Sequence, residues 1–340
     1  MQAIVLAGGY ATRLWPLTKD RPKMLLPVGE TTVIDEILAD LEGDERVSDV
    51  FISTNERFAP TFETHIEESD FEKPQLSVEE TVEEDEKFGV VGALTQLIER
   101  EGLDENDEGL LVVAGDNLFS FNLSSFVDEF KENEAPTLVA YDVESREKAK
   151  AYGLVELDGD RVVNFQEKPE DPKSTLVSIA CYAFPADVLS QFDEYLAGDN
   201  NPDEPGWFLQ WLQARQAVHA FTFSGAWFDI GTAVGYLEAV DWALGGEPLI
   251  ADDAIVESSH LEGSVQVLSG ATVADSTLSR SVVFPEATIS NATIHDSVID
   301  TEAEIENLEL SKSVIGPYSQ ITTESTEKRS DDQETEAVTK

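Results

Sequence analysis

The chain has 340 residues and carries 69 acidic against 22 basic side chains, a formal charge of −47. Its length suits one large or two smaller domains, and a hydrophobic content of 41% excludes a chain that stays disordered for lack of apolar residues. The negative charge opposes binding to nucleic acid or to an anionic membrane, because both need neutralising Lys and Arg. Such an acidic surface is typical of a high-salt cytoplasm, where ions screen self-repulsion over about 3 Å at 1 M salt. We therefore expect a halophilic protein.

Neither membrane insertion nor disulfide bonding is expected. No run of 18 apolar residues occurs, and the start MQAIVLAGGY lacks the basic flank and cleavage site of a signal peptide. This pattern predicts a soluble, cytoplasmic protein. Cys181 is the single cysteine, which excludes an internal disulfide and any zinc site that needs two thiolates. A bound metal ion is therefore expected to have oxygen ligands.

Short apolar runs alternate with amphipathic helical patterns from Met1 to about Gly225. Examples of the runs are residues 3–7 (AIVLA) and 109–115 (GLLVVAG). Consecutive apolar positions suit strands that are buried on both faces of a sheet, so the pattern predicts an α/β nucleotide-binding domain with a Rossmann-like mixed sheet. A closing helix begins after Thr232, its predicted N-cap, and stops at Gly245-Gly246. The first domain is expected to cover residues 1–246.

After Leu249 the pattern changes to aliphatic residues that recur every five or six positions, such as Ile289, Ile294, Ile299 and Ile305. This short period predicts a left-handed parallel β-helix over residues 247–321, with one aliphatic residue pointing inward on each side of a coil. A meander of short antiparallel strands is the alternative, but hairpins need turn signals at wider spacing. Residues 322–340 have almost no apolar side chains and are expected to form a disordered acidic tail.

Residues 6–27 (LAGGYATRLWPLTKDRPKMLLP) contain the most informative motif. A predicted strand leads into Gly8-Gly9, where absent side chains let backbone N–H groups approach a phosphate or a base. Arg13 adds a fixed positive charge for phosphate oxygens, and Lys23 follows ten residues later. No G-K-[ST] follows, so this is not a Walker A loop, and the three-glycine spacing of a dinucleotide fingerprint is absent.

This segment resembles the signature loop of the sugar-nucleotide pyrophosphorylases, which join a nucleoside triphosphate to a sugar 1-phosphate and release pyrophosphate. Four further motifs follow in the family's order: VVAGDNLF around Asp116, YGLVE from Tyr152, FQEKP around Glu167 and Lys168, and WFDIGT around Asp229. The resemblance covers residues 1 to about 245. It is strongest to glucose-1-phosphate thymidylyltransferases of the long form, of haloarchaeal type, whose C-terminal extension is also a β-helix.

The resemblance implies a role for each motif. The residues expected to act at the reacting phosphate are Arg13 and Lys23. Those expected to bind the nucleotide are Leu6, Ala7, Gly8, Gly9, Thr12 and Gly89. Those expected to bind the sugar phosphate are Gly153, Glu167 and Lys168, and those expected to hold Mg²⁺ are Asp116 and Asp229. A homo-oligomer is also expected, since β-helix extensions in this family often mediate association.

The chemistry of the reaction agrees with these residue types. A sugar phosphate has a second pKa of about 6, so its oxygen is already an anionic nucleophile at neutral pH and needs no general base. The reaction instead needs neutralisation of charge on the attacked phosphate and in-line positioning of two anions. Three cations and a metal ion on two carboxylates meet this need.

The substrates are expected to be dTTP or UTP and glucose 1-phosphate. A guanylyltransferase acting on mannose 1-phosphate, or a uridylyltransferase acting on glucose 1-phosphate, is the alternative. An alternative of another class is a non-catalytic paralogue that binds a sugar nucleotide and regulates a true enzyme. The glutamine that reads a pyrimidine edge in the family has no evident counterpart here, which leaves the base open.

Several positions depart from the family pattern. Ala11 replaces a family glycine, where a methyl group is tolerated if φ is negative, and Ala180 replaces another near the sugar. The segment PGWFLQWL, which begins at Pro205, stands where thymidylyltransferases have a different motif. Pro169 is expected to hold Lys168 in an extended conformation. The identity of the sugar therefore stays open together with that of the base.

Other side chains admit a second role. Candidates for stacking on base or sugar are Tyr10, Trp15 and Trp227, although packing in the core is the simpler interpretation. His295 is a candidate acyltransferase base, but a solvated loop position is expected for it.

The acidic composition generates a prediction about salt. Added KCl screens the repulsion that the excess negative charge imposes on the compact state, so the free energy of unfolding should rise from about 0.1 M to about 2 M KCl. Thermal unfolding in a KCl series measures this, with a matched sucrose series as the control for solvent exclusion. An unchanged melting temperature across the KCl series would contradict the halophilic interpretation.

Overall fold

A computed structural model describes residues 1–79, 89–105 and 108–323 of the chain. The chain divides into two compact units, Met1–Ala243 and Leu244–Lys340. The boundary predicted from the sequence follows Gly246. No helix among the described residues is long and apolar enough to cross a bilayer.

The first unit is a mixed α/β domain. Its strands are β1 (Gln2–Leu6), β2 (Pro27–Val28), β3 (Thr31–Thr32), β4 (Val50–Asn55), β5 (Pro74–Glu79), β6 (Leu110–Ala114), β7 (Asn117–Phe119), β8 (Thr137–Asp142), β9 (Gly153–Asp158), β10 (Arg161–Glu167), β11 (Leu176–Phe184), β12 (His219–Thr222) and β13 (Trp227–Asp229). Its helices are α1 (Val33–Gly43), α2 (Ala59–Glu68), α3 (Val90–Glu101), α4 (Leu123–Asn133), α5 (Arg146–Ala149), α6 (Ala186–Leu189), α7 (Gln191–Ala197), α8 (Pro205–Gln213) and α9 (Ala233–Leu244). Short 3₁₀ turns lie at Thr12–Leu14, Lys23–Leu25 and Leu103–Glu105.

A nine-stranded sheet in the order β5-β4-β1-β6-β11-β8-β12-β10-β9 organises this unit. The first four strands run parallel, whereas β11 is antiparallel to both of its neighbours β6 and β8. Ala3 and Val5 of β1 pack into one hydrophobic core, and Ile4 between them packs into another. The sheet is therefore buried on both faces, as the consecutive apolar positions predicted.

Local signals in the sequence explain where the helices begin. Thr32 and Asp35 form a reciprocal capping box at the start of α1, which satisfies backbone N–H groups that have no helical partner. The side chain of Thr232 accepts a hydrogen bond from the N–H of Gly235 at 3.1 Å at the start of α9. The predicted N-cap at Thr232 therefore caps the helix, and α9 ends directly before Gly245.

The second unit consists of short parallel strands. They are β14 (Leu249–Ile250), β15 (Ile255–Glu257), β16 (His260–Val267), β17 (Thr272–Ala274), β18 (Thr277–Val283), β19 (Thr288–Ser290), β20 (Thr293–His295), β21 (Val298–Ile299), β22 (Glu304–Glu306), β23 (Glu309–Ser311), β24 (Val314–Ile315) and β25 (Gln320–Thr322). Val273, Ile289, Ile305 and Ile321 pair in register along one stack, 16 residues apart at each step. The pairings between these strands are parallel, so the antiparallel meander is wrong and the predicted β-helix class is confirmed.

The corners of the coils have a repeated backbone conformation. Residues 275, 280 and 286 have positive φ, and so do the residues 16 and 32 positions after each of them. Asn291 and Asn307 occupy one of these corner columns, and the side-chain amide of Asn291 donates to Asn307 Oδ1 at 2.6 Å. Asn and Asp tolerate left-handed backbone better than other non-glycine residues, so the polar residues between the aliphatic positions serve the turns.

Three expectations for this region change or stay untested. β25 includes Thr322, and the N–H of Thr323 donates to Glu306 O at 3.3 Å, so ordered structure passes the predicted tail boundary at residue 321. Residues 324–340, to which the tail prediction applies, lie outside the described residues. His295 lies in β20 with its Nδ1 2.6 Å from Ser279 Oγ, so its predicted loop position is wrong. The left-handed sense of the coils stays a prediction.

The stacked aliphatic core generates a stability prediction. Ile289 is fully buried between Val273 and Ile305 of the adjacent coils, so Ile289→Ala should lower the free energy of unfolding by about 2 to 5 kcal/mol through lost burial and a residual cavity. Thr288→Ala on the exposed side of the same strand is the matched control. Denaturant unfolding measures both variants, and equal midpoints would contradict a packed β-helix core.

Candidate active site

A cavity of about 610 Å³ lies along the carboxyl ends of β5, β4, β1 and β6. Eleven of the thirteen predicted site residues line it, namely Leu6, Gly8, Gly9, Arg13, Lys23, Gly89, Asp116, Gly153, Glu167, Lys168 and Asp229. The other two do not. Ala7 is fully buried in the core, and Thr12 is exposed at the start of a 3₁₀ turn. The structure therefore brings all five motifs together, and ligands bind at this end of the strands in open α/β sheets.

The turn after β1 is held by hydrogen bonds from neighbouring segments. Asn55 Nδ2 donates to Gly8 O at 3.0 Å. Ala11 has a φ of 50°, so the condition of a negative φ, under which a methyl group is readily tolerated, is not met. Its carbonyl accepts bonds from Thr18 Oγ1 at 2.8 Å and from the N–H of Leu14 at 2.9 Å. These two bonds maintain a backbone conformation that costs an alanine about 1 to 2 kcal/mol.

Two carboxylates face the middle of the cavity. Strand β13 pairs with β7 so that Asp229 lies opposite Asn117, and the N–H of Ile230 donates to Asp116 O at 3.2 Å. Asp229 is therefore next to Asp116 although the two are far apart in the sequence. Burial and the negative charge of Asp116 raise the pKa of Asp229 above its usual value. The N–H of Gly231 donates to Asp229 Oδ1 at 2.9 Å and so stabilises the ionised form in part.

Lys23 forms an ion pair with Asp116 inside the cavity, with side chains only 11% and 19% exposed. Positive charge therefore already compensates one of the two carboxylates. A hard divalent cation such as Mg²⁺ fits the pair, because it takes oxygen ligands, commonly one or two carboxylates with the rest from substrate and water. No cluster of three or more potential metal ligands occurs within the described residues.

The other end of the cavity holds Glu167 and Lys168 of the FQEKP segment, which we call the E-K-P motif. A Cβ on Gly206, at the start of α8, would lie 1.6 Å from Glu167 Oε2, so only glycine leaves room for this carboxylate. Burial and the nearby charge of Glu204 raise the pKa of Glu167 to about 7. Lys168 forms an ion pair with Glu204 at the cavity wall.

The conformation of Lys168 differs from the sequence expectation. Its φ is 42°, so the extended conformation predicted from Pro169 is wrong. The N–H of Lys168 donates to Tyr152 O at 3.2 Å, and this bond turns the backbone toward the YGLVE motif. Ala180, on the adjoining wall, also has a positive φ of 54°. The cavity wall thus contains two strained residues.

The aromatic candidates have three different environments. Trp227 lines the cavity, and its indole N–H donates to Asn117 Oδ1 at 2.6 Å. Tyr10 is buried against Phe58, whereas Trp15 is 47% exposed and outside the cavity lining. Of the three, Trp227 is therefore the one placed to contact a substrate.

Sequence reasoning missed several lining residues, among them Ser53, Glu79, Ser178, Glu204 and Gly206. Glu79 and Glu204 are two of 69 acidic residues, and no local motif distinguishes them from the others. No local motif marks Ser53 either. Of these residues, only Gly206 lies in a segment that the sequence analysis had singled out, namely PGWFLQWL, which departs from the family pattern.

The glycine before α3 is required by its surroundings. Gly89 has a φ of 76°, and a Cβ at this position would lie 2.4 Å from Pro202 O. Left-handed backbone and the close approach of a carbonyl both favour glycine here. The acidic stretch at residues 80–87 before it lies outside the described residues.

The family model described as nucleotidyl transferase matches residues 2–244. The chain belongs to the nucleotidyl transferase family. The match spans the cavity and all five motifs, and it confirms the resemblance on which the site was predicted. The roles assigned to individual residues stay predictions.

Individual relatives of this nucleotidyl transferase carry different substrate names. A putative mannose-1-phosphate guanyltransferase of Sulfolobus acidocaldarius is 29% identical over 239 residues, which are 70% of this chain and 61% of the relative. A glucose-1-phosphate adenylyltransferase of Thermotoga maritima is 30% identical over 255 residues, 70% of this chain and 59% of the relative. The chain thus spans about 60% of the length of these curated relatives.

A solved structure is similar over a larger share of its own length. The crystal structure of a putative glucose-1-phosphate thymidylyltransferase from Bacillus anthracis, in complex with sucrose, superposes with a TM-score of 0.62 at 25% identity. The match covers 72% of this chain and 95% of that one. The α/β fold of the first unit is thereby confirmed.

The raised pKa of Glu167 generates a prediction about stability. Because the folded-state pKa lies above the unfolded value of about 4.5, ionisation disfavours the folded state as the pH rises through 7. Glu167→Gln should therefore gain stability relative to the unmodified chain between about pH 5 and pH 8, by about 2 kcal/mol. Exposed Glu170→Gln is the control. Chemical denaturation across this pH range measures the difference, and parallel stability curves for Glu167→Gln and the unmodified chain would contradict the raised pKa.

Proposed function

We propose that this chain transfers a nucleotidyl group from a nucleoside triphosphate to a sugar 1-phosphate and releases pyrophosphate. The observation that carries the proposal is the carboxylate pair Asp116 and Asp229, which lies between the Gly8-Gly9 turn and the E-K-P motif in one cavity. A site of this form can hold two phosphorylated substrates on either side of a cation. The names of the relatives, which include a guanyltransferase, an adenylyltransferase and a thymidylyltransferase, support the same reaction class.

In the proposed reaction, an oxygen of the sugar phosphate forms a bond to the α-phosphorus of the triphosphate. The bond from that phosphorus to the bridging oxygen of the β-phosphate breaks, and pyrophosphate leaves with the electron pair. The attacking oxygen is already ionised, so no residue has to remove a proton. The chain must instead align the two phosphates in line and balance their charge.

The cations of the cavity can perform this work. Lys23 is held at the centre by Asp116, and Arg13 reaches to within 3.2 Å of the position that a Cβ on Gly231 would occupy, beside Asp229. We assign both to the reacting phosphates and Lys168 to the sugar phosphate. When bound by Asp116 and Asp229, Mg²⁺ would neutralise charge on the phosphate oxygens.

The finer substrate choice rests on the resemblance. dTTP or UTP as the donor and glucose 1-phosphate as the acceptor stay predictions, as do cytoplasmic location and a homo-oligomer. The guanylyltransferase alternative gains support from the name of the Sulfolobus acidocaldarius relative.

Pyrophosphate release, measured with Mg²⁺ across a panel of triphosphates and hexose 1-phosphates in molar KCl, tests the proposal. We expect turnover that requires both substrates. A protein that binds sugar nucleotide but releases no pyrophosphate with any pair would instead be a binding paralogue, and the proposed reaction would be wrong.

The carboxylates generate a separate prediction. Asp116→Asn and Asp229→Asn should each lower kcat by about 10²-fold or more, because each removes negative charge that holds the cation. Asp70→Asn, on the surface between α2 and β5, is the control. Near-normal kcat in either variant, with Mg²⁺ limiting, would remove that residue from the site.

A further inference from the structure

The two carboxylate oxygens of Asp116 have different partners. Asn117 Nδ2 donates to Asp116 Oδ1 at 3.3 Å, and Lys23 pairs with Asp116 Oδ2. Asn117 is only 5% exposed, and its Nδ2 also donates to Ala114 O at 3.4 Å. The orientation of the Asp116 carboxylate therefore depends on which way the side-chain amide of Asn117 faces.

The indole of Trp227 determines the direction of this amide. Its N–H donates to Asn117 Oδ1 at 2.6 Å. An indole nitrogen donates and does not accept, so the amide oxygen has to face Trp227 and the NH₂ group has to face Asp116. If the amide were turned over, its oxygen would face a carboxylate oxygen, and its NH₂ group would face the indole N–H. Trp227 therefore selects the one orientation in which Asn117 can donate to Asp116.

Trp227 also contacts the residue that donates to the second carboxylate. Its ring meets the ring of Tyr152 edge-on, with the centroids 5.0 Å apart. The Tyr152 hydroxyl donates to Asp229 Oδ2 at 3.4 Å, and the N–H of Gly231 donates to Asp229 Oδ1 at 2.9 Å. Trp227 itself lies in β13 opposite Phe119 of β7, the strand pair that brings the two carboxylates together. One side chain thus supports a hydrogen-bond donor to each carboxylate.

We propose that Trp227 is a positioning residue that orients both carboxylates for the cation, through Asn117 for Asp116 and through Tyr152 for Asp229. This inference rests on the proposed function, in which the two carboxylates hold Mg²⁺. Residues that orient a metal ligand typically contribute about 10- to 100-fold to metal affinity or activity. The role differs from stacking on a base or a sugar, because a phenylalanine could stack in the same place but could not donate to Asn117.

The first test measures the binding of Mn²⁺ to the full-length chain in molar KCl by electron paramagnetic resonance, in which the signal of the free ion falls as the ion binds. Binding that persists in Asp116→Asn is subtracted, because surface carboxylates also bind Mn²⁺. Trp227→Phe keeps an aromatic ring but removes the N–H, so it should raise the Kd for Mn²⁺ by about tenfold. Trp211→Phe on α8, outside the cavity lining, is the matched control and should leave the Kd unchanged. An unchanged Kd in Trp227→Phe would overturn the proposal, and so would the absence of Mn²⁺ binding that depends on Asp116 in the unmodified chain.

The second test separates orientation of the amide from general packing by a double-mutant cycle. Asn117→Ala removes the amide and should by itself raise the Kd for Mn²⁺ by about tenfold or more. Adding Trp227→Phe to Asn117→Ala should change the Kd by less than about twofold, because no amide is left to orient and the phenylalanine ring keeps the contact with Tyr152. Losses that multiply in the double variant would show that the two side chains act independently and would overturn the proposal. The comparison of Trp227→Phe with Trp211→Phe remains decisive if Asn117→Ala fails to fold.

Pyrophosphate release distinguishes a failure of this inference from a failure of the proposed function. Trp227→Phe should raise the Mg²⁺ concentration that gives half the maximal rate by about tenfold, whereas kcat at saturating Mg²⁺ should fall much less. A raised KM for one substrate with an unchanged Mg²⁺ dependence would indicate stacking, which would overturn the orienting role and leave the proposed reaction intact. No pyrophosphate release from the unmodified chain would overturn the proposed reaction, and the Mn²⁺ measurements would still decide whether Trp227 orients the carboxylates.

Discussion

Repulsion between two half-buried carboxylates is the constraint on which the site depends. Asp116 and Asp229 come from distant parts of the chain, and the antiparallel pairing of β13 with β7 holds them together. Burial and then the negative charge of Asp116 raise the pKa of Asp229 above its usual value. Lys23 pairs with Asp116, and Arg13 lies beside Asp229, so two cations face the two carboxylates. In the proposed reaction the carboxylate oxygens would hold Mg²⁺, which would neutralise charge on the phosphate oxygens.

Close packing against glycine sets the shape of the cavity around this centre. Gly206 allows Glu167 to lie directly on the first turn of α8, and Gly8 allows Glu79 to approach the turn after β1. Glu167 fills space that a Cβ on Gly206 would occupy, whereas a Cβ on Gly8 would be in tight contact with Glu79. The cavity has carboxylates at both ends, Arg13 and Lys23 near the middle, and Lys168 at the end that holds the E-K-P motif.

The two units obtain stability in different ways. The first unit buries both faces of a mixed sheet under helices. The second has no helices among its described residues beyond the end of α9 and stacks aliphatic side chains from one coil onto the next. Its corner residues adopt left-handed backbone, and polar side chains such as Asn291 and Asn307 bond along the corners. Each coil is therefore stabilised mainly by its neighbours, as in other repeat structures.

The sequence by itself determined the fold classes and most of the site, because apolar periodicity and short motifs are local signals. It predicted the buried strands, the cap at Thr232, the β-helix repeat and eleven residues that line the cavity. It did not predict the positive φ at Ala11 and Lys168, since hydrogen bonds with Thr18 and Tyr152 maintain those conformations against local preference. Nor did it reveal Glu79 or Glu204 among 69 acidic residues. Only the tertiary structure selected these two, because strand order and helix placement decide which carboxylates face a cavity and which face solvent.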